Sequence, residues 1–65
     1  MKKNQPAKRV AILEEVEING QWYLAFAING EIDRAFERND RNSRDLLEHW
    51  AYLANIGYEI LDRTP

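Results

Sequence analysis

Apolar and polar positions fall into four blocks along the chain. Three apolar-rich runs, residues 10–18, 21–28 and 31–38, are separated by the pairs Asn19-Gly20 and Asn29-Gly30. An Asn-Gly pair between such runs is the strongest short-range hairpin signal, because a type I′ turn needs positive φ at both central residues. The pattern predicts three antiparallel strands in a meander. Residues 31–38 also fit helical spacing through Ile32, Ala35 and Phe36, but the tight turn just before them favours a strand.

Turn length decides which side chains share a face. A two-residue turn at each Asn-Gly pairs Phe26 with Leu13 and Asp33, and sets Trp22 opposite Glu17 and Leu24 opposite Glu15. A three-residue Ile-Asn-Gly loop, with Gly in the left-handed region forming a bulge, shifts each pairing by one residue and exchanges the faces. Phe26 then lies between Ile12 and Ile32, Trp22 between Val16 and Phe36, and Leu24 between Glu14 and Arg34. Cross-strand apolar pairs stabilise by ~0.2–1 kcal/mol each, and carboxylates buried beside them cost more. The three-residue loop is therefore the expected register. It leaves a second face that is small and acidic, from Ala11, Leu13, Glu15 and Glu17 on the first strand through Tyr23, Ala25 and Ala27 to Asp33, Ala35 and Glu37. With two-residue turns, the helix is expected on the Ala25/Ala27 face. Trp22, Leu24, Phe26 and Ile28 then form a patch rimmed by Glu15, Glu17, Glu31 and Asp33 that needs a partner.

A polar connection, residues 38–44, leads into a helix. Asn42 is the expected N-cap with Ser43 as its rival, and Asp45 sits near the positive end of the helix dipole. Leu46, Leu47, Trp50, Leu53 and Ala54 recur at three- and four-residue spacing and make one apolar stripe. Gly57 is placed to end the helix in the left-handed conformation. Residues 58–61 then read as a short strand, expected at the sheet edge and parallel to the first. The fold class is α+β in the order β-β-β-α-β: a three-stranded antiparallel meander, one helix packed on one face and a short C-terminal strand. Residues 1–9, with Pro6 and no apolar periodicity, read as a flexible basic leader before a single domain, residues 10–65.

At 65 residues the chain holds one domain and buries only roughly 60% of its unfolded surface. There is no Cys, and His49 is the only His, so neither disulfides nor a structural zinc site is expected to staple it. Packing or self-association is left to supply stability. No run approaches the ~20 apolar residues of a membrane span, no secretory signal is visible, and a cytoplasmic location is expected. The net charge of −2 hides an asymmetry: four of the nine basic residues are Lys2, Lys3, Lys8 and Arg9, and the remaining five, all Arg, face all eleven acids. Residues 10–65 thus carry −6, a sign that opposes general nucleic-acid binding.

Candidate chemistry is sparse. No catalytic set, metal site or cofactor loop is legible, and the chain is expected not to be an enzyme. His49 is expected on the flank of the helix, partly exposed, beside Glu48 and near Tyr52. Arg38, Arg41 and Arg44 recur at spacing three around the helix start. With Lys2, Lys3, Lys8 and Arg9 they are the candidate phosphate or nucleic-acid contacts. The solvated alternative is that they pair with neighbouring acids such as Glu37, Asp40 and Asp45. The favoured reading is a small protein-binding module, an adaptor or a phage- or mobile-element-encoded inhibitor of a nucleic-acid-binding host protein. Its partner would offer a basic surface to Glu15, Glu17, Tyr23, Asp33, Glu37 and Tyr52. Nucleic-acid binding through the leader and the Arg cluster is the alternative, and a homodimer is compatible with the first.

Overall fold

The computed structural model describes residues 9–65. They form β1 (Arg9–Ile18), β2 (Gln21–Ile28), β3 (Glu31–Glu37), a 3-10 turn (Arg38–Asp40), α1 (Arg44–Asn55) and β4 (Tyr58–Asp62). One sheet has the order β3-β2-β1-β4, with β1–β2 and β2–β3 antiparallel and β4 parallel to β1 at the edge. The β-β-β-α-β order, the strand at 31–37 and the parallel edge strand agree with the pattern of the sequence. Lys2, Lys3 and Lys8 lie outside the described residues. Arg9, expected in the leader, instead opens β1. Its guanidinium donates to the Ile56 carbonyl at 3.0 Å and sits 4.4 Å over the Tyr58 ring.

The register is not the expected one. Both connections are two-residue turns: Asn19 and Asn29 have φ 54°, and Gly20 and Gly30 have φ 81°. Asn tolerates the left-handed region, and the primed turn matches the strand twist, so no third loop residue is needed. Ile18 pairs with Gln21, Leu13 with Phe26, Glu15 with Leu24 and Glu17 with Trp22. The carboxylate penalty is avoided locally. Glu15 meets Arg38 at 3.2 Å, and Glu17 is exposed at the strand end.

β3 carries a further irregularity. Ala27 pairs with Ile32 but Phe26 pairs with Arg34, so Asp33 is an extra residue, a β-bulge. An unbroken two-residue hairpin would turn Phe36 to the same side as Tyr23. The bulge shifts the phase and sets Phe36 opposite Leu24, on the helix side.

The core is Ala11, Leu13, Leu24, Phe26, Phe36, Leu46 and Leu53, with Ile28, Trp50, Tyr58 and Ile60 packed against it. Phe26 is its centre, edge-on to Phe36, Trp50 and His49 at centroid distances of 6.3, 6.1 and 5.3 Å. The helix settles on the face with Leu24 and Phe26 because these bury far more apolar area than Ala25 and Ala27. Neither expected pairing of register and helix placement is therefore realised: the turns are two-residue, yet the helix covers the large side chains. Trp22, expected in the core, shares that face but remains 43% exposed.

Ser43 rather than Asn42 caps α1. Its backbone is extended (φ −67°, ψ 155°), and its hydroxyl accepts from the Leu46 N–H at 3.2 Å. Ser43→Ala should lower stability by about 1 kcal/mol, read from urea melts followed by circular dichroism. Gly57, at φ 101°, ends the helix as expected, its N–H donating to the Ala54 carbonyl at 3.2 Å.

Candidate functional site: the open sheet face

With α1 on one side, none of the described residues places a helix over the other side of the sheet. Strand alternation places three rows there. The first is Ile32, Ala27 and Ile12, with Leu61 beyond on β4. The second is Ala35, Ala25 and Glu14, and the third Glu37, Tyr23 and Val16. Val10 and Ile18 extend the two ends of β1. Ile32, Leu61, Ile18 and Val10 are 49, 44, 40 and 38% exposed, while Ile12, Val16 and Tyr23 are half-buried. Ala25 is fully buried although no helix of the described residues covers it. A sheet with one solvated face normally alternates apolar-in and polar-out. Here large apolar side chains stand on both faces, and on the open one Glu14, Glu37 and Glu59 stand among them.

The residues expected to form one acidic docking face are divided between the two sides. Tyr23 and Glu37 are on the open face, directly paired across β2 and β3. Glu15 and Glu17 are on the helix side, because the one-residue difference in turn length reverses β1 relative to β2. Asp33 sits on the bulge and is turned towards α1. Tyr52 is on α1 itself, exposed and stacked on His49 at 5.7 Å. Conversely Ile12, Val16 and Ile32, expected in the core, belong to the open face. The signal that could have found them is the β-branched series Val10, Ile12, Val16 and Ile18, every member of even number.

His49 is on the helix flank beside Glu48 and Tyr52, partly exposed as expected, but it has a partner that the sequence pattern does not indicate. Its side chain is 12% exposed and lies 2.8 Å from the Asp33 carboxylate through Nε2, with Phe26 and Phe36 against its ring. It ties the bulge to the helix. Beside it Arg34, Asp45, Glu48 and Tyr52 line an open groove, and the Arg34 guanidinium stacks 5.2 Å over Phe36.

The three arginines around the helix start do not converge on a common site. Arg38 pairs with Glu15 at 3.2 Å, Arg44 with Glu48 at 3.2 Å one helical turn on, and Arg41 donates to the Thr64 hydroxyl at 2.7 Å. The partners differ from the neighbouring acids expected, but the solvated, paired reading of the cluster describes it better than a phosphate cradle. Thr64 in turn donates its hydroxyl and its N–H to Asp62 at 2.6 and 2.9 Å. These two bonds hold the Asp62 carboxyl below its ordinary range, slight burial opposes them, and the charge of Arg41 assists. A carboxyl with a lowered folded-state pKa adds stability above its unfolded pKa, and that stability is lost as pH falls through the folded value. Thr64→Val should return the Asp62 titration towards the ordinary range, as followed by carboxyl-detected NMR.

Among the described residues, no group of three or more His, Cys, Asp or Glu could hold a metal ion, and no helix is long and apolar enough to cross a membrane. Against protein-family models, curated proteins and solved structures, the chain finds no match, so the open face is read from its own residues.

Proposed function

We propose that the chain is a small, non-enzymatic protein-binding module that docks its partner on the open sheet face. The carrying observation is that exposed Val10 and Ile18 at the two ends of β1, Ile32 on β3 and Leu61 on β4 surround half-buried Ile12, Val16 and Tyr23, on the side of the sheet away from α1. Contiguous apolar surface of this kind on a small protein marks an interaction site. Tyr23 supplies a large, stiff, amphipathic anchor near its middle. Carboxylates on the same face, Glu14 and Glu37, favour a partner with basic groups. An adaptor or an inhibitor would both use such a surface. The nucleic-acid alternative would draw on Arg38, Arg41 and Arg44, whose side chains are engaged within the domain.

Affinity capture from the native host with nuclease treatment, followed by titration of the captured protein, tests the proposal. Val16→Lys should weaken binding on the order of tenfold or more. Replacing Arg38, Arg41 and Arg44 together by Gln should leave binding within about twofold. The reverse outcome, binding lost with the arginines and retained in Val16→Lys, would remove the open face as the site.

A further inference from the structure

Glu14 stands at the centre of the open face. It lies between Ile12 and Val16 along β1 and opposite Ala25 on β2, and it is half-buried even in the free chain. The partly buried carboxylates on the helix side have partners: Glu15 has Arg38, and Asp33 has His49. Among the described residues Glu14 has none. Among the described residues, β1 to β4 place no Lys or Arg on this face, since Arg9 stacks on Tyr58 and Arg34 on Phe36 on the helix side. Arg63, which follows β4 and donates its N–H to the Leu13 carbonyl at 2.8 Å, reaches that side but makes no ion pair with Glu14. Glu37, beside Tyr23, and Glu59, opposite Val10 on β4, are further carboxylates of the same surface.

We infer that Glu14 is the specificity determinant of the open face: it prevents two copies of this chain from pairing through that face, and it selects a polypeptide partner with an apolar stripe and a Lys or Arg set against it. The inference rests on the docking role proposed above. Two sheets packed face to face about a twofold axis put the same patch against itself. A central carboxylate then meets its twin as both lose water, and like charges so placed oppose association strongly. A partner segment that brings one cation to the centre turns the same desolvation into a charge-assisted hydrogen bond. The single carboxylate thus acts against one occupant and for the other.

Two measurements on the full chain test this. Sedimentation equilibrium at ~100 μM should find the native chain monomeric. Glu14→Val should dimerise with an affinity on the order of tenfold or more above the native chain, and adding Val16→Lys to that variant should restore the monomer. For the partner, two synthetic amphipathic peptides of one length, one Leu/Lys and one Leu/Glu, serve as probes in 1H–15N titrations. The Leu/Lys peptide should shift the amides of Ile12, Glu14, Val16 and Tyr23, with about fivefold weaker binding to Glu14→Gln. The Leu/Glu peptide should not. A native dimer broken by Val16→Lys would overturn the role of Glu14 while leaving the face a docking surface. Leu/Lys binding at the face that is indifferent to Glu14→Gln would do the same. A monomeric Glu14→Val together with no shift on the face from either peptide would overturn both the inference and the docking role beneath it.

Discussion

Phe26→Ala should remove about 3–5 kcal/mol of stability. A chain of this length has roughly 3–10 kcal/mol in total, so the variant should be largely unfolded or close to it at 25 °C. The reason is position. Phe26 is fully buried at the middle of β2 and is the side chain against which Phe36 from β3 and Trp50 from α1 both close. Truncation opens a cavity at the one point where the bulged strand, the central strand and the helix meet, and the sheet backbone cannot collapse to fill it. Trp22→Ala is the control: the larger side chain, but 43% exposed, should lose only about 1 kcal/mol. Urea titrations followed by far-UV circular dichroism measure both. The three-residue register puts Trp22 between Val16 and Phe36 in the core, so it predicts a severe loss for Trp22→Ala. A larger loss at Trp22 than at Phe26 would show that the turns and the core drawn here are wrong.

What was legible follows from how local each signal is. The two Asn-Gly corners and the stripe of Leu46, Trp50 and Leu53 are short-range patterns, and the strands and helix they imply are the ones present. The faces depend on one residue of phase, and β1 withholds it: Val10, Ala11, Ile12 and Leu13 are apolar in both parities, so neither register looks wrong along that stretch. Only Glu15 and Glu17, set beside Leu24 and Trp22, argue against the two-residue register. Their cost is prohibitive only where the whole face is buried. The helix covers only its middle, Glu17 is left to water, and Glu15 gains Arg38 across a separation no local rule detects. The bulge was illegible for a related reason. Asp33 looks like an ordinary outward strand residue until the turn length is known, and only then does Phe36 require an extra residue before it to reach the core.

The candidate site inherits the same ambiguity. Tyr23 shares a side of β2 with Ala25 and Ala27 in either register, and the helix covers the other side; Glu37 reaches the same face only because the bulge at Asp33 offsets the residue of phase that the shorter turn removes. The apolar members Ile12, Val16 and Ile32 read as interior because the three-residue register sets them beside Phe26 and Trp22. The prior that fails is that a chain with one helix has one apolar face. This chain places large apolar side chains on both faces, and the described residues cover only one of them. That surplus, rather than any acidic character, is what argues for a partner.

Asp33→Ala should cost about 1–2 kcal/mol, and the double variant with His49→Leu should recover most of that. His49 is nearly enclosed, with its Nε2 turned to the Asp33 carboxylate at 2.8 Å. Removing the carboxylate alone leaves an imidazole N–H or lone pair at an apolar interface, and such a group costs about 1–3 kcal/mol when unsatisfied. The lower part of that range applies because the Asp33 side chain is 38% exposed, so water can reach part of the vacated position. Replacing both partners removes the polar demand. A leucine at position 49 would still cover Phe26 and Phe36, whose rings flank the imidazole. The four proteins of the cycle, compared by urea denaturation, should give a coupling on the order of 1 kcal/mol. Because the bulge holds Asp33 and also brings Phe36 inward, the cycle separates its two effects. A loss in the double variant as large as in Asp33→Ala alone would mean that the carboxylate matters to the shape of the bulge and not to its tie with the helix.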